Sequence, residues 1–284
     1  MPSLYIVATP IGNLEDITLR ALRVLREVGL IAAEDTRVTR KLLNRYDITT
    51  SLTSYHEHNK LSKLPAMLNT LAEKDVALVS DAGMPGINDP GYELVCAAVD
   101  AGVRVVPIPG ASAVTSAIAV SGLPIDRWTY LGFLPRKRAE RRRLLESLAS
   151  EKSTLVIFET PHRLKAALSD ILDAWGDRRI AVCRELTKLH EEIFRGVVSE
   201  ALAHFDSPRG EFTLVIEGGA ESIPDESQQE AEAIEMLSRL RRDGVSAKDA
   251  VAQVAQQFEM PRRKAYRLWL DMKSSEDGQS TSTE

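Results

Sequence analysis

Short apolar runs alternate with stretches of helical spacing along the first half of the chain, the pattern of crossover connections and a largely parallel sheet. Residues 4–8 predict the first strand. After Thr9-Pro10-Ile11-Gly12-Asn13-Leu14-Glu15-Asp16, the spacing Leu19, Leu22, Leu25 and Val28 predicts an amphipathic helix ending near Gly29, and residues 30–33 predict another strand. Further strands are expected over 76–80 and 103–108, with a helix over 92–100 ended by Ala101-Gly102. A tight turn over 107–113 leads into a small-residue helix through Ala119, which Gly122-Leu123-Pro124 breaks.

A second pattern follows. Residues 128–134 read as a strand, 138–149 as a basic helix, and 154–158 as a strongly apolar strand. Thr160-Pro161 is a helix N-cap and first-turn pair, 164–175 fits the helix, and 179–182 with 212–216 adds sheet whose direction the pattern leaves open. Residues 220–229 turn small, polar and acidic after Gly218-Gly219, a linker signature. Helical patterns then recur over 231–240, 247–257 and 262–272. The expectation is an α/β protein with domains over 1–122 and 123–219, a linker over 220–230, a helix-turn-helix-like appendage over 231–272, and a disordered tail over 273–284.

Composition changes this picture little. A chain of 284 residues that is 44% hydrophobic and 27% charged has ample core, and its formal net charge of −5 gives no global attraction to polyanions. Nucleic-acid binding would therefore rest on local patches, and three stand out. Arg136, Lys137, Arg138, Arg141, Arg142 and Arg143 crowd one segment; Arg262, Arg263, Lys264 and Arg267 lie beside Tyr266 and Trp269; Arg37, Arg40 and Lys41 mark a smaller basic helix. Each is a candidate phosphate contact, with an ordinary solvated helix face as the plain alternative. In the appendage, Ala250, Val254 and Phe258 are expected to form a small core. Cys96 and Cys183 are far apart in apolar stretches, so buried thiols are expected rather than a disulfide or zinc ligands. No signal-like segment and no apolar run near the roughly 20 residues of a membrane span is present, so a cytoplasmic protein without membrane contact is expected.

The most informative stretch is Leu78-Val79-Ser80-Asp81-Ala82-Gly83-Met84-Pro85-Gly86-Ile87-Asn88-Asp89-Pro90-Gly91, where an apolar run ends abruptly in carboxylates and permissive backbone. It reads as a ligand loop more than as a tight strand-to-helix connection.

Several separated signatures occur in a fixed order. They are Ala8 to Asp16, Ala33-Glu34-Asp35-Thr36-Arg37, Ser80 to Gly91, Pro109 to Ala113, Phe158-Glu159-Thr160-Pro161-His162-Arg163, and Arg184-Glu185-Leu186-Thr187-Lys188. On these the chain resembles the tetrapyrrole-methylase superfamily, in its ribosomal-RNA branch, over nearly its full length. The resemblance implies two α/β domains with S-adenosylmethionine held between them. It also implies methyl transfer to the 2′-oxygen of a cytidine ribose in 16S RNA of the small ribosomal subunit, and a homodimer. A donor without pyrophosphate does not need a Gly-x-Gly-x-x-Gly loop, which is missing here. Carried over by position, cofactor contacts fall on Pro10, Gly12, Asp81, Gly83, Ile87, Ser112, Ala113, Phe158 and Thr213. Tetrapyrrole-making relatives have Gly-Asp-Pro at the second loop, whereas this chain has Asp-Ala-Gly-Met-Pro-Gly, which shifts weight from the Asp81 side chain to the backbone of 83–87.

With a sulfonium as leaving group, the protein must align the acceptor oxygen and handle its proton. Alignment supplies up to about 7 to 11 kcal/mol in favourable cases, and a general base about 100- to 10,000-fold. Glu159, Lys188 and His190 are the candidate catalytic residues, with Glu34, Asp35, His162 and Glu185 as further proton handlers. Lys188 acts as a base only where burial lowers its pKa; as a cation it would hold a phosphate or polarise the ribose. No metal-ligand spacing is found. Two rivals are a tetrapyrrole methyltransferase and a non-catalytic RNA-binding module.

Overall fold

A computed structural model describes residues 2–219, 226–258 and 260–277. The chain divides into two compact units, Met1–Gly219 and Ala220–Glu284.

The first unit is built on two sheets. Strands β1 (Ser3–Val7), β2 (Leu30–Ala33), β3 (Leu52–Ser54), β4 (Val76–Val79) and β5 (Arg104–Ile108) make the first, in the order β3-β2-β4-β1-β5 with every neighbour parallel. Alternation along each strand feeds two cores. Val7, Ile31 and Val79 pack under helices α1 (Leu19–Glu27) and α2 (Thr36–Arg45), while Leu4 and Leu78 pack under α3 (Lys60–Glu73) and α4 (Tyr92–Asp100). Thr18 and Asp35 cap α1 and α2 by accepting the amides of Ala21 and Arg37.

Helix α5 (Ala113–Ser121) follows β5 but packs on the second sheet. That sheet comprises β6 (Trp128–Phe133), β7 (Thr154–Glu159), β8 (Arg179–Arg184), β9 (Glu192–Val197) and β10 (Phe212–Ile216), ordered β6-β7-β10-β8-β9. The direction left open by the sequence is mixed: β6 and β7 are parallel, and the pairs through β10 and β9 are antiparallel. Leu155, Ile157 and Leu214 face α6 (Arg138–Ser147), α7 (Pro161–Trp175) and α8 (Val198–His204); Val156, Ala181 and Val215 face α5 and Ile11. Arg195 and Arg179 donate to the carbonyls of Val120 and Gly122 at the end of α5, fastening it to this sheet.

Strands β3 and β9 and helices α3 and α8 are absent from the pattern reading. β3 has three residues, β9 (Glu-Ile-Phe-Arg-Gly-Val) follows no period-2 pattern at a half-buried edge, and α3 carries Pro65 inside it. Thr160 and Pro161 stand at the N-cap and first turn of α7 as expected, and the helix ends at Trp175.

The second unit contains α9 (Glu226–Arg242), α10 (Ala247–Gln257) and α11 (Arg262–Asp277) around Leu237, Val254, Met260 and Ala265. Ser246 caps α10 by accepting the Asp249 amide. Helix α9 starts inside the segment expected as linker, and α11 continues into the segment expected as disordered; residues 278–284 of that tail lie outside the described residues. Among the described residues no helix is long and apolar enough to cross a membrane.

Candidate active site

Parallel strands leave their carboxyl-end loops on one rim, where open α/β sheets place ligands. Three such loops converge here. Thr9, just past β1, exchanges backbone hydrogen bonds with Gly83 past β4, N to O at 2.9 and 3.0 Å. The Thr9 hydroxyl also donates to the Ser80 carbonyl at 3.1 Å. Gly83 has φ +80, and a Cβ there would sit 3.6 Å from Ile11 and 3.9 Å from the Ala111 carbonyl, so its bare face looks onto both other loops. Gly110 lies against Ala8, 3.0 Å from where a Cβ would be, which closes the third side. Ser112 is the N-cap of α5 by backbone geometry, yet its hydroxyl makes no capping bond.

The second sheet supplies side chains on its α5 face. Phe158, Thr213 and Cys183 form one row across β7, β10 and β8. Phe158 and Cys183 belong to the apolar cluster that includes Ile11 and Ala113. Burial pushes the Cys183 thiol up to about 11, so it stays a neutral packing group. The loop after β8 reaches back to the first sheet: the Asn13 amide donates to the Thr187 hydroxyl at 3.1 Å. A Cβ on Gly12 would lie 2.4 Å from Lys188 Cγ, so only glycine permits that approach. Thr187 and Glu185 both have positive φ, 67° and 49°, costly for a β-branched residue and held by the surrounding bonds.

The carboxylates of the first sheet interlock. The Asp35 amide donates to Asp81 Oδ1 at 3.0 Å, and the Asp81 amide donates to Glu34 Oε2 at 3.2 Å. Asp35 is held down to about 2 by its hydrogen bonds with Arg37. Glu34 and Asp81 are raised, chiefly by burial. Asp89 is raised furthest, to about 7, by burial and then by the Glu34 carboxylate, against an opposing hydrogen bond with Ser80. Its neighbour Asn88 donates to the Tyr130 hydroxyl of β6. Asp89 is a site residue that motif position alone does not single out; its one signal in the sequence is a carboxylate between Gly86 and Gly91 of the ligand loop.

The structure brings Pro10, Gly12, Gly83, Ser112 and Ala113 together with the Phe158 and Thr213 row, and puts Asp81 and the half-exposed Ile87 on the same rim. It does not bring Glu159 there. Alternation along β7 turns Glu159 to the face opposite Phe158, where it is 2% exposed, accepts the Thr160 amide at 2.9 Å and lies 3.3 Å from Arg163 Nε. The catalytic role expected for Glu159 is therefore corrected to a structural one. Lys188 is brought to the rim, but as a cation: burial lowers its pKa, and hydrogen bonds at 2.9 Å to Glu185 and to Glu211 raise it by more. A base role is thereby corrected too. His190 is exposed on the same loop.

The basic clusters separate likewise. Arg141 is 5% exposed, donating to Asp170 at 2.6 and 2.8 Å and to the carbonyls of Pro135 and Arg136, so its expected RNA contact is corrected to a buried ion pair. Arg138 reaches the same Asp170 at 3.0 Å while staying largely exposed. Arg136, Lys137, Arg142 and Arg143 are exposed, as are Arg40 and Lys41 on α2 and Arg262, Arg263 and Arg267 on α11. Arg37 is exposed but engaged with Asp35 at 2.6 Å, and Lys264 pairs with Glu230 at 2.9 Å.

Comparison with known proteins bears on this geometry. The family model described as Tetrapyrrole (Corrin/Porphyrin) Methylases matches residues 3–202. The chain belongs to the tetrapyrrole methylase family. A member from Halalkalibacterium halodurans named ribosomal RNA small subunit methyltransferase I is 47% identical over 272 residues, 94% of each chain. One of the same name from Thermotoga maritima is 54% identical over 221 residues, covering 77% of this chain and 99% of that one. Among solved structures, uroporphyrin-III-C-methyltransferase from Thermus thermophilus superposes with TM-score 0.55 at 18% identity, covering 76% of this chain and 94% of that one, a likeness of fold alone.

For a tetrapyrrole methylase, the residues present fit an adenosine-bearing sulfonium. The bare face of Gly83 leaves a cradle that a side chain would fill, the Ser112 hydroxyl is not engaged in capping, Phe158 offers an aromatic wall, and the carboxylates favour a cationic ligand.

Proposed function

We propose that this methylase transfers a methyl group from S-adenosylmethionine to the 2′-oxygen of a cytidine ribose in 16S ribosomal RNA, presented as free RNA or in the small subunit. The observation that carries it is the 47% identity, over 94% of both chains, with a relative named for small-subunit ribosomal RNA. A cytoplasmic setting fits that acceptor, and the homodimer implied by the resemblance belongs to the same proposal, with sedimentation velocity as its check.

When bound, the cofactor supplies an electrophilic methyl carbon on a sulfonium leaving group. The chain's residues do the rest. The backbones of residues 9–12 and 83–87, with Ser112, Ala113, Phe158 and Thr213, bind and orient the donor and keep water from it. Asp81 faces its positive groups. The ribose hydroxyl would enter over the first-sheet rim, and its proton would pass to a carboxylate oxygen of Asp89, which is raised to about 7. Lys188, kept charged by Glu185 and Glu211, is suited to a phosphate or ribose oxygen rather than to proton abstraction. Arg136, Lys137, Arg138 and Arg142, Arg37 and Arg40, and Arg262, Arg263, Lys264 and Arg267 are the proposed phosphate contacts.

Incubation with labelled donor against assembled small subunits, naked 16S RNA and a tetrapyrrole tests this. Label in a cytidine ribose is expected. Label in the macrocycle, or RNA binding without label, would replace it.

A further inference from the structure

We propose that Phe133 is a stacking platform for a nucleobase of the RNA acceptor, and that Arg136 and Lys137 hold the phosphates flanking that base. This rests on the RNA-methylation proposal above and extends it to a defined surface.

Tyr130 and Phe133 are three apart, and in an uninterrupted strand they would point to opposite faces. Tyr130 pairs with Val156 while Gly132 pairs with Ile157, so Leu131 is an extra residue in β6. This bulge puts both rings on the Phe158 face, with centroids 5.2 Å (Tyr130) and 5.7 Å (Phe133) from Phe158, both edge-on. Gly132 takes φ +66 there, and a Cβ on it would stand 2.9 Å from Asn88 Oδ1, so the bulge is seated directly against the first-sheet ligand loop. The result is a ring re-aimed to the cofactor-facing side of the sheet, at the carboxyl end of β6, yet 50% exposed.

The segment after it is held from beneath. Arg163 donates to the carbonyls of Leu134 and Pro135 at 2.6 and 3.3 Å, and Arg141 to those of Pro135 and Arg136 at 3.4 and 3.5 Å. The buried carboxylates of Asp170 and Glu159 lie against these guanidiniums. Arg136 and Lys137 are thus exposed cations on a fixed backbone, three and four residues past an exposed ring, Lys137 also reaching the exposed Glu140 at 3.0 Å. A ribose delivered into a cleft must leave the stacking of its neighbours, and an aromatic face beside phosphate-binding cations restores that stacking for single-stranded RNA.

Full-length wild type, Phe133→Ala, Phe133→Trp and the double variant Arg136→Ala/Lys137→Ala are compared on a 16S RNA transcript, with cofactor affinity by calorimetry as the control for folding. Phe133→Ala is expected to weaken RNA affinity and raise KM about tenfold, with Phe133→Trp restoring both and neither changing cofactor affinity. The double variant is expected to flatten the salt dependence of RNA binding, which Phe133→Ala leaves as in wild type. Wild-type RNA affinity and KM in Phe133→Ala would overturn the proposal and leave the methylation reading standing. So would a change confined to the oligomeric state, which would make the ring a self-association contact. A wild type that neither binds nor methylates RNA would remove the underlying reading and this proposal together.

Discussion

The two sheets of the first unit bring opposite resources to one site. The parallel sheet contributes backbone: loops at the ends of β1, β4 and β5 that touch through Thr9, Gly83 and Gly110. The mixed sheet contributes side chains in a row on one face, Phe158, Thr213 and Cys183. Their carboxylates differ as well. On the first sheet Glu34, Asp81 and Asp89 lie close to one another and are raised while Asp35 beside Arg37 is lowered; on the second, Glu159 is raised by burial while Asp170, Glu185 and Glu192, paired with Arg, Lys or His, are lowered. Of these only Asp89, raised to about 7, is poised to exchange a proton near neutrality; those locked into ion pairs maintain shape. The proposal that Asp89 takes the proton accordingly places proton chemistry on the first sheet and leaves geometry to the second.

The sharpest way to break that division is Asp89→Asn. Methyl transfer is expected to fall by about 100- to 10,000-fold, the range of a lost general base. In wild type the rate should rise with pH through about 7, because only the ionised carboxylate accepts a proton, and the variant should lack that limb. The sign for stability is opposite. A folded pKa raised from 3.8 to about 7 makes ionisation weaken the fold as pH climbs through that window, so the variant at pH 8 should melt no lower than wild type. Lost activity with a lowered melting point would instead mean a structural role.

Next in size is Gly83→Val. The substitution forces a β-branched residue to φ +80 and puts carbon into the cradle between Ile11 and Ala111. Cofactor affinity by calorimetry should drop by about 100-fold or more. Retained affinity would move the donor away from the parallel sheet's rim.

A smaller effect is expected from ending the chain after Gly219. The Thermotoga maritima relative is almost wholly covered by 221 aligned residues, about the span of the first unit, so a family member exists at that length. Cofactor affinity should remain within about twofold while RNA affinity weakens and its salt dependence flattens, because Arg262, Arg263 and Arg267 are lost. Unchanged RNA affinity would confine recognition to the two sheets.

How much of this was legible beforehand follows the same line. Strands buried on both faces announced themselves as apolar runs: residues 30–33 and 212–216 were bounded as observed. The ligand-loop reading of residues 81–91 rests on three glycines among carboxylates, of which Gly91 also has a packing reason, since a Cβ there would stand 2.9 Å from Leu78. What stayed hidden depends on contacts distant in sequence. Arg141 looks like its neighbours in a basic run until α7 brings Asp170 within 2.6 Å. The bulge that turns Phe133 over is marked in the sequence only by Gly132 inside the strand, and Asp89 looks like a helix-start residue until the fold places it near Glu34.

Glu159→Gln has the smallest expected effect on turnover and tests the division from the other side. Glu159 adjoins Phe158 in sequence, but the pleat turns it under α7, toward Arg163 and Arg141. Methyl transfer should stay within about twofold of wild type at pH 7.5. The readout that should move is stability against pH. Burial raises the Glu159 carboxyl above 4.5 despite the nearby arginines, so its ionisation weakens the fold as pH rises past that value. The neutral amide lacks this charge, and its melting temperature between pH 4 and 8 should vary less than that of wild type. A large loss of turnover at unchanged cofactor affinity would show that the α7 face of β7 reaches the reacting atoms, and the assignment of proton chemistry to the first sheet alone would fail.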